Sequence, residues 1–516
     1  MSESFVRVEV EGVVARARSG QRSLGALSVA ERLAHLRALR LAIADRVDEI
    51  VDRVQAETGK SRSDIVMSEI FGAMDAIAWL ETNAEDALAD EKVPTPMTLM
   101  GKKSRIWYQP RGVVFVISPW NYPFFQAIVP IASALAAGNA VVYKPSEHTP
   151  LEGLVESLAE QAAIAPHWLQ IVYGDGVVGA AVIDQQPDQV MFTGSARTGR
   201  AILRQAADLL VPVELELGGK DPMIVFEDVD IARTAAGAAF GALTAAGQSC
   251  TSVERLYVHD SIHDELVAAL VELVSSLRLV ESPADDRDGD GDIGCMTTDF
   301  QVRTVAEHVL DARARGARVL TGADWDAAAV LEGRPGLPGR PFRLVPPMVL
   351  TDVPEDALIA TEETFGPVLP VLRFTAEPEV IDRANASAYG LTASVWSADA
   401  ERAERVARQL RCGGVSINNV MATEATPALP FGGVGESGMG RYKGVAGLRA
   451  FTNAQSVVVD SDGGKLEANW YPYTAKKHAL FTAMMRAWFS DGPTRLARFA
   501  VAGSRLESHA QKARRS

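Results

Sequence analysis

Between residues 27 and 60 apolar side chains return every three or four positions, with Leu33, Leu36, Leu39, Ile43 and Val47 on roughly one face and charges between them. That spacing predicts helix. A second stretch of the same kind covers 64–89. The Pro- and Gly-bearing segment 91–104 ends this helical portion, and SRIWYQPRG (104–112) then alternates like a strand, which predicts a projecting hairpin near 100–111. From Gly112 the pattern becomes strand and helix by turns: VVFVIS, a helix from about Phe124, AVVYKP, a helix around 150–163, LQIVYG, a helix around 177–184, and QVMFTG. After Leu217 a second run begins with MIVF, continues through a long Ala-rich helix to Gly247, and reaches ERLYVH. Such alternation predicts mostly parallel sheets covered by helices, an α/β chain with two doubly wound, Rossmann-like domains. No internal repeat is visible.

Length agrees with more than one core, since 516 residues exceed what a single hydrophobic core usually serves. Hydrophobic content of 47% with 23% charged residues is ordinary for a globular enzyme and argues against a small binding module. A net charge of −15 speaks against nucleic acid as a partner. The charge is uneven: residues 475–516 hold nine Lys or Arg against Asp491 and Glu507, a net +7 that leaves −22 on residues 1–474. If 474–490 is helical, Leu480, Phe481, Met484, Met485 and Trp488 line one face with Arg486 opposite. That tail reads either as packing on the acidic body or a sister subunit, or as a basic amphipathic helix on an anionic membrane.

Three cysteines, Cys250, Cys295 and Cys412, are too few for a disulfide framework, and none has a partner at metal-ligand spacing. We therefore expect no metal and a reducing, cytoplasmic setting, membrane-peripheral at most. The N-terminus lacks the apolar core of a secretory signal, and the most apolar stretch, 127–143, is broken by Pro130, Gly138 and Asn139. The acidic segment 282–292 lacks calcium-loop spacing and reads as a solvated loop; 332–342 reads as a surface excursion.

Three strings carry chemistry. Cys250 lies in TAAGQSCTS (244–252), Glu216 in LELGGKDP (215–222) and Asn121 in SPWNYP (118–123). A thiol attacks a carbonyl, an amide steadies the oxyanion, and a carboxylate activates water against the resulting thioester. A lone Cys is more often a small buried hydrophobe, and an Asn between prolines more often a turn-former. GDGVVG (174–179) matches G-x-G-x-x-G after a strand, with Gly174, Gly176 and Gly179 at the glycine positions, a weak signal alone.

Taken together, these motifs and their spacing resemble the aldehyde dehydrogenase superfamily over roughly residues 20–460, and FGGVGESGMGRYKG (431–444) closes the resemblance. It implies that Cys250 is the nucleophile, that the Asn121 amide and the Cys250 backbone N–H hold the oxyanion, and that Glu216 activates water. Acylating members generally lack this glutamate, so its presence implies release of a free acid. Retention of Cys250, Glu216 and Asn121 counts against a non-catalytic, structural member.

The family's KP-x-E and FTGS-x-x-x-G elements read here as KPSE (144–147) and FTGSARTG (192–199). The resemblance thus places Lys144, Ser146, Glu147, Phe192, Gly194, Ser195 and Gly199 on a dinucleotide, together with Ser118, Trp120, Leu217 and Gly218. EETFGP (362–367) adds Glu363 and Phe365 at the nicotinamide side. A carboxylate at Glu147 facing the ribose 2′-position would repel an extra phosphate, so NAD is favoured and NADP comes second. Glu214, on the other parity of its strand, should face away from the site.

By the same resemblance the substrate passes Tyr122, Phe125, Val129, Leu243, Thr244 and Thr251, all apolar or neutral. No Arg stands just before Cys250 to clamp a distal carboxylate. The run YQPRGVVFVISPWNYP nevertheless looks like a branch often labelled succinic semialdehyde dehydrogenase. We rank an aliphatic or aromatic aldehyde first and succinic semialdehyde second. The implied organisation is a dinucleotide-binding domain (1–98 and 112–217), a catalytic domain (218–445), a β oligomerisation element (99–111 and 446–465) and the tail (475–516), assembled as a homodimer or homotetramer.

Overall fold

A computed structural model describes residues 3–99, 101–460 and 466–513. The chain divides into two units, Met1–Ala89 with Tyr108–Ala454, and Asp90–Trp107 with Gln455–Ser516.

The first unit contains two sheets of the expected kind. One is six-stranded, in the order Gly438–Met439, Val213–Glu216, Gln189–Thr193, Val113–Ile117, Ala140–Lys144 and Leu169–Ile171. Its strands are parallel except Gly438–Met439, which runs antiparallel beside Val213–Glu216. The other is seven-stranded, in the order Arg318–Val319, Met348–Thr351, Val368–Phe374, Val253–His259, Asp221–Val225, Thr392–Trp396 and Gly414–Ile417. There only the edge strand Arg318–Val319 is antiparallel.

Helix cover on both faces explains why the central strands are buried throughout instead of alternating: Ala140–Lys144 and Asp221–Val225 are buried at every position. The helix Phe125–Ala136 is likewise buried all round and tolerates Pro130 inside it. The N-terminal stretch, for which the apolar pattern predicts nothing before residue 27, forms a helix, Glu3–Gly25. Its Val10, Val13, Val14 and Ala17 recur at helical spacing and close the core over the first sheet. The helical region 27–60 is broken at Arg46, and the region 64–89 opens with a π-helical stretch, Ile65–Phe71. The acidic segment 282–292 is not wholly solvated: Asp286 is buried and accepts hydrogen bonds from Gln55 Nε2, Arg62 N and Gly291 N at 3.2, 2.6 and 2.8 Å.

The second unit contains strands Glu91–Val93, Lys102–Pro110 and Thr452–Asp460 in one sheet, tied by Lys102 Nζ to Asp460 and Glu467 at 2.6 Å each. Two helices follow, Ala475–Trp488 and Arg495–Ala513. The second was not foreseen and corrects the reading of the tail. Phe499, Ala502, Leu506 and Ala510 bury against the first helix, so Leu480, Phe481, Met484 and Trp488 are partly covered and only Met485 of that stripe is exposed. No helix among the described residues is long and apolar enough to cross a membrane.

Candidate active site

Cys250 follows an unusual turn. The helix Ile231–Leu243 stops at Thr244, and Ala245 and Ala246 then adopt left-handed conformations with φ of 53° and 54°. Each costs on the order of 1–3 kcal/mol for a residue with a Cβ and persists only where neighbours hold it. Asp64 holds it here, accepting the Ala245 N–H at 2.6 Å and the Thr244 hydroxyl at 3.2 Å. Gln248 is buried and spans the turn, donating from Nε2 to Ala245 O at 2.9 Å and accepting Thr297 N at 2.9 Å. At Gly247 a Cβ would lie 2.1 Å from Gly366 O, so only glycine lets this loop meet the EETFGP turn.

Asn121 reaches the same turn, giving one amide N–H to Gln248 O at 2.8 Å and leaving the other for a ligand. Its loop is fixed by a buried carboxylate. Glu69 Oε2 accepts the Phe124 and Phe125 N–H groups at 2.8 and 3.0 Å, while Lys60 Nζ donates to Oε1 at 2.8 Å and lies 3.5 Å from the Tyr122 ring centroid. The EETFGP turn has the same device: Glu254 accepts Thr364 N and Phe365 N at 2.8 Å each and pairs with the buried Lys220 at 2.5 Å. Lys60 and Glu69 lie outside the motifs, and Lys220 and Glu254, inside LELGGKDP and ERLYVH, have no role that the motifs announce. Replacing Lys60 by Met leaves a buried charge unpaired, and we expect a loss of about 3–5 kcal/mol of stability, read by denaturant unfolding.

Glu216 ends its strand buried, and neither carboxylate oxygen has a hydrogen-bond partner among the described residues. A Cβ at Gly432 would come within 2.7 Å of Oε1. Burial pushes the carboxyl well above its ordinary range, against the pull of Arg441 and Lys443. Cys250 is part-buried; its thiol is raised well above its usual value, first by burial and then by the charges of Glu424, Asp221, Glu363 and Glu216. The Cys250 carbonyl lies against Gly219, where a Cβ would stand 2.4 Å away, so the backbone of Cys250 packs on the Glu216–Lys220 turn. Glu214 lies beside Gly440, its carboxyl raised by burial against the pull of Arg111 and Arg441, and its charge also raises Glu216. Cys295 and Cys412 lie elsewhere, pushed by burial up to about 11 and about 12.

Sequence reasoning missed Lys443 and Glu424. The Lys443 ammonium, lowered by burial, donates to Glu424 O and sits 4.8, 5.4 and 5.7 Å from the centroids of Phe431, Tyr442 and Phe125. Glu424 in turn accepts the Thr251 hydroxyl at 2.8 Å. Of the positions assigned to substrate, Tyr122, Phe125, Thr244 and Thr251 therefore cluster on the loops around Cys250. Val129 shares the core that holds Tyr122 and Phe125 and packs against Cys250, and Leu243 lies in the core of the second sheet.

The dinucleotide positions gather at the carboxyl ends of the first sheet, where an open α/β fold places its ligands. Ser118 N donates to Lys144 O at 3.2 Å, and its hydroxyl to Gln126 O at 2.7 Å. Lys144 is buried, lowered by that burial, with its ammonium 3.7 Å from the half-exposed Glu147. Ser146 Oγ accepts His148 N at 3.2 Å beside them. Gly179 faces Lys144, a Cβ there lying 3.7 Å from Lys144 Cδ; Gly194 and Gly199 allow close approach of Phe192 and Leu217, which a Cβ would meet at 2.5 and 2.8 Å.

Gly174 has φ of 142°, and Asp175 caps the helix that begins at Gly176, accepting Val177 N at 2.9 Å. A carboxylate thus already occupies that N-terminus. Ser195, by contrast, caps Ala196–Leu209 with a neutral hydroxyl, accepting Thr198 N at 3.3 Å. This helix start, not the G-x-G-x-x-G turn, is the one suited to a phosphate. From the second sheet, Glu363 accepts Gly219 N at 3.0 Å, and its carboxyl is pushed up to about 8, chiefly by burial. A Cβ at Gly218 would fall 2.2 Å from the Glu363 carboxylate. Phe365 stacks edge-on against Trp120 with centroids 5.4 Å apart. A buried cation and a cradle that tolerates no Cβ suit an anionic, flat ligand.

The model of the aldehyde dehydrogenase family matches residues 4–457. A 4,4'-diapolycopene aldehyde oxidase of Methylomonas sp is 40% identical over 461 residues, 89% of this chain and 83% of that protein. A protein of Mycolicibacterium smegmatis provisionally named succinate-semialdehyde dehydrogenase, NADP(+), is 37% identical over 87% of this chain and 84% of its own length. Among solved structures, the NAD+ complex of a Bacillus cereus aldehyde dehydrogenase aligns with a TM-score of 0.80 at 31% identity, covering 88% of this chain and 89% of that one.

Proposed function

Because the chain belongs to the aldehyde dehydrogenase family, with NAD(P) as acceptor, we propose that Cys250, Asn121 and Glu216 oxidise an apolar aldehyde to the free carboxylic acid. The observation that carries this reading is the buried, unpartnered carboxylate of Glu216 beside the turn that touches Cys250. Cys250 Sγ adds to the aldehyde carbon, and the oxygen takes up negative charge against the free Asn121 N–H and the Cys250 backbone N–H. Glu363 and Phe365 would hold the nicotinamide side of the dinucleotide and Lys144 and Ser195 the rest of it; when bound, it would supply the acceptor for the hydride that leaves the carbon as the thioester forms. Glu216 takes a proton from water, the water oxygen attacks the thioester carbon, and the C–S bond breaks to return the cysteine. A carboxyl pushed upward is the better base for this step. Asn121→Ala should lower kcat by about 100-fold with little change in cofactor binding, which separates an oxyanion role from a structural one.

The uncharged side chains of Tyr122, Phe125 and Thr251, and the kinship with an oxidase named for 4,4'-diapolycopene aldehyde, favour an apolar substrate. A second reading, succinic semialdehyde, draws support from the M. smegmatis relative and from Lys443, a buried cation beside Phe125. NADH formation across short, long, aromatic and carboxylated aldehydes decides: a carboxylated aldehyde preferred by orders of magnitude overturns the first reading.

For the cofactor, Glu147 beside Lys144 favours NAD, although relatives are named for NADP(+). Because Glu147 is half-exposed and screened, Glu147→Ala should raise kcat/KM for NADP relative to NAD by only about tenfold. The family's oligomers suggest pairing through the 99–111 and 446–465 segments as a homodimer or homotetramer.

A further inference from the structure

The C-terminal helical hairpin is apolar on both sides at its turn. Phe499, Ala502 and Leu506 close its inner side, with the Trp488 and Phe499 rings 4.7 Å apart. Outside, Phe489 is 81% exposed, Met485 55% and Leu496 53%. Met485 and Phe489 stand one turn apart at the end of the first helix, and Leu496 opens the second. A helix end this apolar on its open side is incompletely covered. Arg486, Arg495 and Arg498 are exposed around the same turn, against Asp491 alone.

We propose that this hairpin docks on the surface of an anionic phospholipid bilayer, with Phe489 and Leu496 entering the headgroup boundary and the arginines meeting lipid phosphates. Charge decides the occupant. With +7 on residues 475–516 and −22 on the rest, only the tail is drawn to an acidic surface. In a two-fold pairing of hairpin turns, the three arginines of each copy would face those of the other, which like charges oppose. Exposed Trp470, Tyr471 and Tyr473 just before the hairpin are the ring types that settle at membrane interfaces. The proposal does not depend on the identity of the substrate.

The test is co-sedimentation of the full chain with phosphatidylcholine vesicles and with phosphatidylcholine–phosphatidylglycerol vesicles. Binding should require the anionic lipid and weaken with salt. Phe489→Glu with Leu496→Glu should reduce the partition coefficient by about tenfold or more, while NADH formation from propionaldehyde stays unchanged. Arg486→Gln with Arg498→Gln, which leaves the apolar residues alone, should weaken it several-fold at low salt. Failure of the native chain to bind the mixed vesicles, or equal binding by the variants, overturns the proposal. So does loss of oligomeric mass in the Phe489→Glu, Leu496→Glu variant, which would assign the surface to a second copy.

Discussion

Cys250→Ala should abolish steady-state NADH formation, by about 10⁴-fold or more, because the first covalent bond can no longer form. Cofactor binding, followed by quenching of protein fluorescence, should survive, since the thiol supports none of the contacts around Lys144 or Ser195. The raised thiol makes a second part of this expectation. A group whose proton is held more tightly yields less thiolate at neutral pH, so alkylation of Cys250 by iodoacetamide should speed up as the pH rises beyond the ordinary cysteine range. Substantial turnover in the alanine variant would remove the basis of the mechanism, and alkylation that levels off at neutral pH would overturn the raised thiol.

Glu216→Gln should separate the two halves of the reaction. Carbon–sulfur bond formation and hydride loss need no carboxylate, so each subunit should release a single burst of NADH; hydrolysis then stalls, and kcat falls by about 10³-fold. The acyl group should remain on the enzyme and appear as added mass on the peptide carrying Cys250. The pH profile carries the sign. Glu216 works as a base only when ionised, and burial lifts its carboxyl above the ordinary value. The native kcat should therefore decline as the pH falls through that raised value, at a higher pH than for a solvated carboxylate. The glutamine variant should lack this acid limb. A variant that turns over steadily without a burst would assign the base elsewhere.

Both expectations rest on residues legible in the sequence, because the chemistry is written in short contiguous strings that form strand-to-helix turns. Lys144 to Glu147 and Phe192 to Gly199 each belong to one such turn, and the Cys250 string forms a single helix-to-strand turn. What was not legible depends on distant partners. Glu69 and Lys60 read as two surface charges on separate helical segments, yet Glu69 falls four residues after Ile65 and four before Ala73, both buried. A charge on the apolar stripe was the available signal, and only the fold shows that it caps the Phe124–Phe125 backbone. Lys443 stands at the end of the glycine-rich string 431–444, where nothing local marks it as buried. The N-terminal helix carries its valines among charged residues, a thin apolar stripe that only the first sheet completes. The tail was read as one amphipathic helix, where a second helix covers part of the same stripe.

The paired carboxylate–lysine clamps under Asn121 and Phe365 also limit how this chain can drift over generations. Each carboxylate serves two backbone amides and one ammonium at once, so exchange of either charged member alone strands its companion in a medium that cannot solvate it. Neutral replacement of the lysine would have to coincide with a change at the acid, and the acid cannot go without freeing the loop. Under the proposed function, the uncharged residues assigned to substrate take part in no such ion pair, and changes of substrate range should accumulate there first.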